Sequence, residues 1–115
     1  MISLVIPPPP STNNLFLNAA GRSRYGRIKS PTYRKWIAET THIIRSQTYT
    51  RIDGKFVLSV WLPPGIDLDN CKAVADILGP RNTNITDDDK HMVEIHVYRT
   101  ESVTSQCRIL IQKPT

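Results

Sequence analysis

The spacing of apolar residues changes several times along the chain, and this limits the fold more than any other feature. Some segments have the two-residue alternation or short apolar run of β-strands, and others have the three-to-four-residue spacing of amphipathic helices. In chain order these segments are residues 2–6 (strand), 30–47 (helix), 55–62 (strand), 70–78 (helix), 92–99 (strand) and 107–112 (strand). The order β-α-β-α-β-β predicts an α/β (α+β) fold with a mixed β-sheet and two main helices, and we expect residues 1–115 to form a single domain.

Turn and cap residues separate these segments. The proline run 7–10 ends the first strand, because proline has no amide hydrogen to donate to a neighbouring strand. Ser30 and Pro31 have the residue types of a helix N-cap and first helical position, and Gly79-Pro80 closes the second helix. Residues 15–28, rich in glycine and basic residues, are predicted to be a long loop or a loose hairpin.

Charge is distributed unevenly along the chain. The formal net charge is +5, yet residues 1–38 contain no acidic residue. Six of the ten acidic residues are aspartates that lie between positions 67 and 89. A protein that binds a phosphate backbone and holds a divalent metal at the phosphate has both features. Chance asymmetry on a solvated surface explains the composition equally well.

Asp67 and Asp69 are the sharpest local feature. They lie two residues apart where a strand leads into a helix, so in extended backbone their side chains point the same way. Two carboxylates so placed suit a hard cation such as Mg²⁺. The alternative is that Asp69 is the N-cap of the helix over residues 70–78.

A second acidic cluster, Asp87-Asp88-Asp89, precedes the strand at residues 92–99. One of these carboxylates can join the first pair if the two segments fold together, whereas the alternative is a solvated acidic turn.

Lys72 either neutralises a phosphate or is a solvated helix lysine. We expect Asp76 to be solvated. His91 and His96 are interpreted as surface histidines, with His91 a candidate DNA contact.

Two cysteines, Cys71 and Cys107, lie in apolar surroundings and are predicted to be buried thiols, since the sequence has no CxxC motif or Cys/His cluster. No apolar run approaches the roughly 20 residues that span a bilayer, and the start of the chain lacks a basic leader. From these features we expect an intracellular protein.

Several of these motifs together resemble the RusA family of Holliday-junction resolvases, and the resemblance covers nearly the whole chain. It begins with a strand, a proline-rich turn and the paired asparagines Asn13-Asn14, followed by a basic segment and a helix. The most specific part is Asp67-Leu68-Asp69-Asn70 opening a helix. The Asp88-Asp89 element, with apolar residues after a short gap, follows in the family's order.

The resemblance implies a catalytic Mg²⁺ site, in which Mn²⁺ can substitute, formed by Asp67, Asp69 and Asp89. Asp88 is the alternative third ligand, since the run of aspartates allows a register error of one. The family also has a functional lysine in the helix after the motif, at a spacing of Asn-x-x-Lys. Here Lys72 is one residue closer to Asn70 than in the family. One residue fewer turns a helical side chain by about 100°, so Lys90 is the alternative candidate for the functional lysine.

The resemblance further implies a homodimer that binds four-way DNA junctions and makes paired symmetric nicks, in DNA recombination and repair. It places the protein in the cytoplasm of a bacterial cell, encoded by the host or a prophage. Alternatives are a module of the same fold that binds junctions or other DNA with weak or no catalysis, and a Mg²⁺-dependent nucleotide phosphohydrolase. The expected DNA-binding residues are Asn13, Asn14, Arg22, Arg24, Arg27, Lys29 and Asn70.

Overall fold

A mixed four-stranded sheet with two helices forms the core of the protein. The computed structural model describes residues 1–10, 16–18, 27–100 and 105–114, without the side chains of residues 16–18, 27, 28 and 89. The elements in chain order are β1 (Ile2–Ile6), β2 (Phe16–Asn18), β3 (Arg27–Lys29), α1 (Pro31–Gln47), β4 (Phe56–Leu62), α2 (Cys71–Leu78), β5 (Met92–Arg99) and β6 (Cys107–Gln112). The predicted α+β class, mixed sheet and two main helices are confirmed.

The sheet has the strand order β1-β6-β4-β5. β6 runs antiparallel to both β1 and β4, whereas β4 and β5 are parallel. A second, two-stranded sheet pairs β2 with β3 antiparallel, so the predicted loop or loose hairpin is a hairpin in its described part. The remaining residues of that segment, 15 and 19–26, lie outside the described residues.

The parallel pair requires a crossover, because parallel neighbours cannot be joined by a tight turn. The crossover consists of a 3₁₀ turn (Leu68–Asn70), α2 and a second 3₁₀ turn (Asp89–His91). Phe56 is in register with Met92, and Leu62 with Arg99. The chain therefore leaves β4 at one end of the strand pair and enters β5 at the other end.

Helix α1 begins as its sequence predicts. Ser30 is the N-cap and its hydroxyl oxygen accepts the Tyr33 N–H at 3.0 Å, with Pro31 at the first helical position. Tyr33, Trp36, Thr40 and Ile44 form its buried face. Trp36 Nε1 donates to Pro7 O at 3.1 Å, which fixes α1 against the residues that follow β1.

The last residue of α1 protects the edge of the sheet. Gln47 Oε1 accepts the Val5 N–H at 3.0 Å, and Gln47 Nε2 donates to Val5 O at 2.6 Å. The side-chain amide therefore takes the place of a neighbouring strand at this point of β1. An edge whose backbone groups are satisfied in this way is a poor template for pairing with another chain.

The loop after α2 packs closely against the end of that helix. Thr83, Ile85 and Thr86 are buried, and the segment folds back on the end of the helix. The Ile85 N–H donates to Leu78 O at 2.9 Å, and Thr83 Oγ1 donates to Ile77 O at 2.7 Å. These bonds satisfy carbonyl groups that the end of a helix leaves without intrahelical partners.

Val93 and Ile95 of β5 are 46% and 39% exposed, because β5 is at the edge of the described sheet. One of the two cysteines differs from its prediction as a buried thiol. Cys107 is buried as predicted, and its burial raises the pKa of the thiol to about 12. Cys71 is partly exposed, because it begins α2 at the end of a surface turn.

No described helix has both the length and the apolar character needed to cross a bilayer.

Candidate functional site

Asp67 and Asp69 lie in a turn that follows β4 directly. Gly65, with φ of 89°, allows the chain to reverse after Pro63 and Pro64. Asp67 then has extended backbone at the N-cap of the 3₁₀ turn, and Asp69 lies inside that turn. Both residues are exposed, and neither carboxylate has a hydrogen bond or ion pair with a described residue. Their oxygen atoms are therefore accessible to a ligand.

The alternative interpretation of Asp69 as a helix cap does not fit this geometry. Asn70 occupies the N-cap position of α2, and no side chain caps that helix by a hydrogen bond. Asp67, at the N-cap of the 3₁₀ turn, likewise makes no capping bond. Capping therefore explains neither aspartate.

Asn70 connects the turn to a distant segment of the chain. Its side chain is fully buried, and Nδ2 donates to Pro10 O at 2.8 Å. Its backbone N–H donates to Asp67 O at 3.1 Å. The residue therefore joins the turn with Asp67 and Asp69 to the end of the proline run. Its contact with DNA stays a prediction, whereas these hydrogen bonds give Asn70 a structural role.

Asp87 of the second acidic cluster has a structural role. Its Oδ1 lies 2.7 Å from His91 Nδ1, and its Oδ2 accepts the Gly54 N–H at 3.1 Å. The hydrogen bond with His91, and then the bond from Gly54, hold the pKa of the Asp87 carboxyl below its usual value. These bonds fasten the start of the acidic run to the turn before β4.

Asp88 is exposed, and its carboxylate contacts Lys90, a residue of the same loop. One oxygen accepts the Lys90 N–H at 2.9 Å, and the other lies 4.0 Å from Lys90 Nζ. Asp89 begins the 3₁₀ turn before β5, but its side chain lies outside the described residues. The predicted choice between Asp88 and Asp89 as a metal ligand is therefore untested.

A cavity of ≈ 560 Å³ lies between β3, α1, α2 and the loop after α2. Asp88 and Asp76 both line this cavity, although Asp76 is expected from the sequence to be solvated. Burial, followed by the charge of Asp76, raises the pKa of Tyr33 in this cavity. Lys29 Nζ lies 6.0 Å from the Tyr33 ring centre. The lining residues are Lys29, Tyr33, Asp76, Gly79, Pro80, Arg81, Asn82 and Asp88.

The described carboxylates thus form two groups along α2. Asp67 and Asp69 precede its first turn, whereas Asp76 and Asp88 lie near its end. Asp69 and Asp76 are seven residues apart, about 10 Å along a helix. Among side chains with described positions, no three His, Cys, Asp or Glu residues are grouped closely enough to hold a metal ion. Asp89 is not among those side chains, so the predicted set of Asp67, Asp69 and Asp89 stays a prediction.

The two candidate lysines differ in their surroundings. Lys72 is exposed in the first turn of α2 and has no ion pair with a described residue. Lys90 lies beside Asp88 in the second acidic cluster. Cys71 lies between Asn70 and Lys72, and burial, followed by the charge of Asp69, raises the pKa of its thiol.

Most of the predicted DNA-binding segment lies outside the described residues, namely Asn13, Asn14, Arg22 and Arg24. Arg27 begins β3, and its side chain is also outside them. Lys29 ends β3 with an exposed side chain that lines the cavity. One cation of the predicted DNA-binding set therefore lines the same cavity as Asp88.

Comparison with known proteins gives no family assignment: no protein-family model matches the chain, and no curated protein matches it.

The bonds to Asp87 predict a specific acid sensitivity. Because the folded protein lowers the pKa of this carboxyl below 3.8, its contribution to stability is complete above that pH and is lost as the pH falls through the folded pKa. We expect the melting temperature of Asp87→Asn to be lower than that of the wild type at neutral pH and to fall less steeply in acid. Thermal unfolding followed by circular dichroism from pH 7 to pH 2 measures both effects.

Asp53→Asn is the matched control, since Asp53 is an exposed aspartate close in the chain to Gly54 and makes neither bond. We expect its acid profile to follow that of the wild type. Parallel curves for Asp87→Asn and the wild type would show that the two bonds do not stabilise the charged carboxylate.

Proposed function

We propose that the protein is a Mg²⁺-dependent, structure-selective endodeoxyribonuclease that resolves four-way DNA junctions in recombination and repair. The observation that carries this proposal is the pair Asp67 and Asp69, two exposed carboxylates without described partners at a strand-to-helix junction. A hydrogen bond from the buried Asn70 side chain to Pro10 O holds the turn that carries them. The fold holds these carboxylates in position, yet they form no hydrogen bond or ion pair with a described residue. Such groups indicate a site for a ligand.

The donor set of this turn fits magnesium. Mg²⁺ prefers carboxylate oxygens and keeps several waters, so two carboxylates and a third from the second cluster suit it. Asp89 is the proposed third ligand, with Asp88 as the alternative. Adjacent negative charges repel each other, and a bound cation removes that cost. When bound, the ion supplies Lewis-acid activation of water and stabilisation of the leaving oxygen.

The protein's own residues bind and orient the DNA around this turn. Asn70 fixes the position of Asp67 and Asp69, while Lys72 or Lys90 neutralises charge at the phosphate. Lys29, Arg27 and the basic residues before them contact the phosphate backbone, which provides affinity without reading the sequence. Asp87 keeps the second acidic cluster against the turn before β4.

Paired nicks require two sites, and we propose that a homodimer supplies them. A four-way junction has approximate twofold symmetry, and a twofold dimer presents the same site to two matching strands. We place this activity in the bacterial cytoplasm, where cellular or prophage DNA recombines.

Cleavage of a labelled four-way junction tests the activity. We expect the wild type to make paired nicks with Mg²⁺ and none with EDTA. Asp69→Asn is expected to lower the cleavage rate about 100-fold or more, the order of magnitude for losing one group that stabilises the developing charge. Asp53→Asn is an equal change of charge at an exposed aspartate whose ion pair among the described residues is with Arg51, and it is expected to cleave normally.

The other outcomes separate the competing functions. Junction binding without cleavage by the wild type would support a DNA-binding module of this fold, as the spacing of Lys72 also suggests. Nucleotide hydrolysis without junction affinity would support a small phosphohydrolase. Cleavage that survives in Asp69→Asn would remove Asp69 from the catalytic site.

Metal binding can be measured separately from cleavage, through stability. Without divalent ions we expect Asp69→Asn to be at least as stable as the wild type, because it relieves repulsion from Asp67. With Mg²⁺ at 100 times its Kd, the wild type is expected to gain about 2.7 kcal/mol, and Asp69→Asn much less. Urea unfolding with and without Mg²⁺ measures this, with Asp53→Asn as the control that keeps the gain. An equal gain in all three proteins would place the ion elsewhere.

A further inference from the structure

β5 lies at the edge of the described sheet and is left largely exposed. It is eight residues long, and only β4 pairs with it among the described strands. Val93 and Ile95 are 46% and 39% exposed. The opposite edge, β1, is protected by Gln47, whereas no described side chain hydrogen-bonds to the outer side of β5. A long, exposed, apolar edge strand pairs readily with another strand.

The hydrogen bonds to β4 show which backbone groups of β5 face outward. The N–H of Thr100, just after β5, donates to Leu62 O at 2.9 Å. Because backbone groups alternate in direction along a strand, the even-numbered residues 94–98 also bond to β4. The N–H and C=O groups of Ile95 and Val97 therefore point away from the sheet.

The register with β4 shows which side chains share a face. Ile95 and Val97 are opposite Leu58 and Val60, whose side chains are fully buried in the core. Glu94 and His96 are opposite Val57 and Ser59 and lie on the other face. There Glu94 Oε2 is 2.8 Å from His96 Nε2. One face of the strand is thus apolar and the other carries a pair of opposite charges when the histidine is protonated.

We propose that β5 is the surface at which two copies of this chain meet, by antiparallel pairing around a twofold axis at Ile95. In this register Ile95 faces the partner's Ile95, and Val93 faces the partner's Val97. Glu94 faces the partner's His96 on the opposite face. The two four-stranded sheets then form one continuous sheet of eight strands. This inference rests on the proposed function, for which it names the dimer surface.

Charge complementarity selects this register over its neighbours. Hydrogen bonding between the outward groups allows only shifts that keep odd-numbered residues opposite odd-numbered residues. An axis at Glu94 would place two glutamates directly opposite each other, which is destabilising. An axis at His96 would place two histidines opposite each other and separate both from the partner's glutamate. Only the axis at Ile95 pairs unlike groups on one face and apolar groups on the other.

Sedimentation of the full chain without DNA tests the interface independently of cleavage. We expect the wild type to form a dimer, and Ile95→Lys to weaken it about tenfold or more, because two lysines then face each other and apolar burial is lost. Val5→Lys is the matched control, since Val5 is on the other edge strand and is 44% exposed. We expect its self-association to be unchanged.

Charge exchange tests the register. Glu94→Lys is expected to weaken the dimer, and the double variant E94K/H96E to restore it. Circular dichroism establishes that each variant is folded.

Cross-linking gives a second readout of the same register. Ile95→Cys is expected to give a disulfide-linked dimer on mild oxidation, because facing residues of a hydrogen-bonded pair have Cα atoms about 5.5 Å apart. Val93→Cys is the control and is not expected to cross-link, since it faces the partner's Val97.

A wild-type monomer, or a dimer unaffected by Ile95→Lys, would overturn this interface. So would cross-linking through position 93 in place of position 95, or binding of β5 to a strand of a different protein while the chain stays monomeric. Nicking of junctions by such a monomer would leave the proposed nuclease intact. A dimer with this register that does not cut DNA would support the interface and contradict the nuclease.

Discussion

The hydrogen bond from Asn70 Nδ2 to Pro10 O is the interaction on which the candidate site depends. It joins two residues that are 60 positions apart and lies where the Asn70 side chain is fully buried. A typical intramolecular hydrogen bond contributes about 0.5–1.5 kcal/mol to stability. The turn with Asp67 and Asp69 is thereby fixed to the end of the proline run as well as to β4.

The parallel pairing of β4 and β5 determines how the second acidic cluster relates to this turn. A parallel pair needs the crossover through α2, and the register places the start of β5 beside the start of β4. Asp76 and Asp88 consequently line the same cavity near the end of α2. A metal site formed with Asp67 and Asp69 needs a third carboxylate from Asp89 or Asp88, which precede the start of β5, whereas the Asp67–Asp69 turn follows the end of β4. This requirement is the most demanding geometric condition of the proposed nuclease.

Local chemistry made much of the fold predictable from the sequence. Ser30 and Pro31 start α1 where expected, and the apolar pattern over residues 55–62 correctly predicted the strand β4. These features depend on neighbouring residues only.

The features that the sequence did not reveal depend on long-range contacts. Exposure of Val93 and Ile95 follows from the edge position of β5, which strand patterns do not encode. The bond between Asn70 and Pro10 and the place of Asp76 in the cavity follow from packing of distant segments.

A crystal of the protein soaked in Mn²⁺, with anomalous scattering recorded at the manganese edge, tests the central claim most directly. The proposed nuclease predicts an ion bound by oxygens of Asp67 and Asp69 and by one carboxylate of the Asp88-Asp89 pair. An ion bound only by Asp76 and Asp88, or no ion at the Asp67–Asp69 turn, would contradict it.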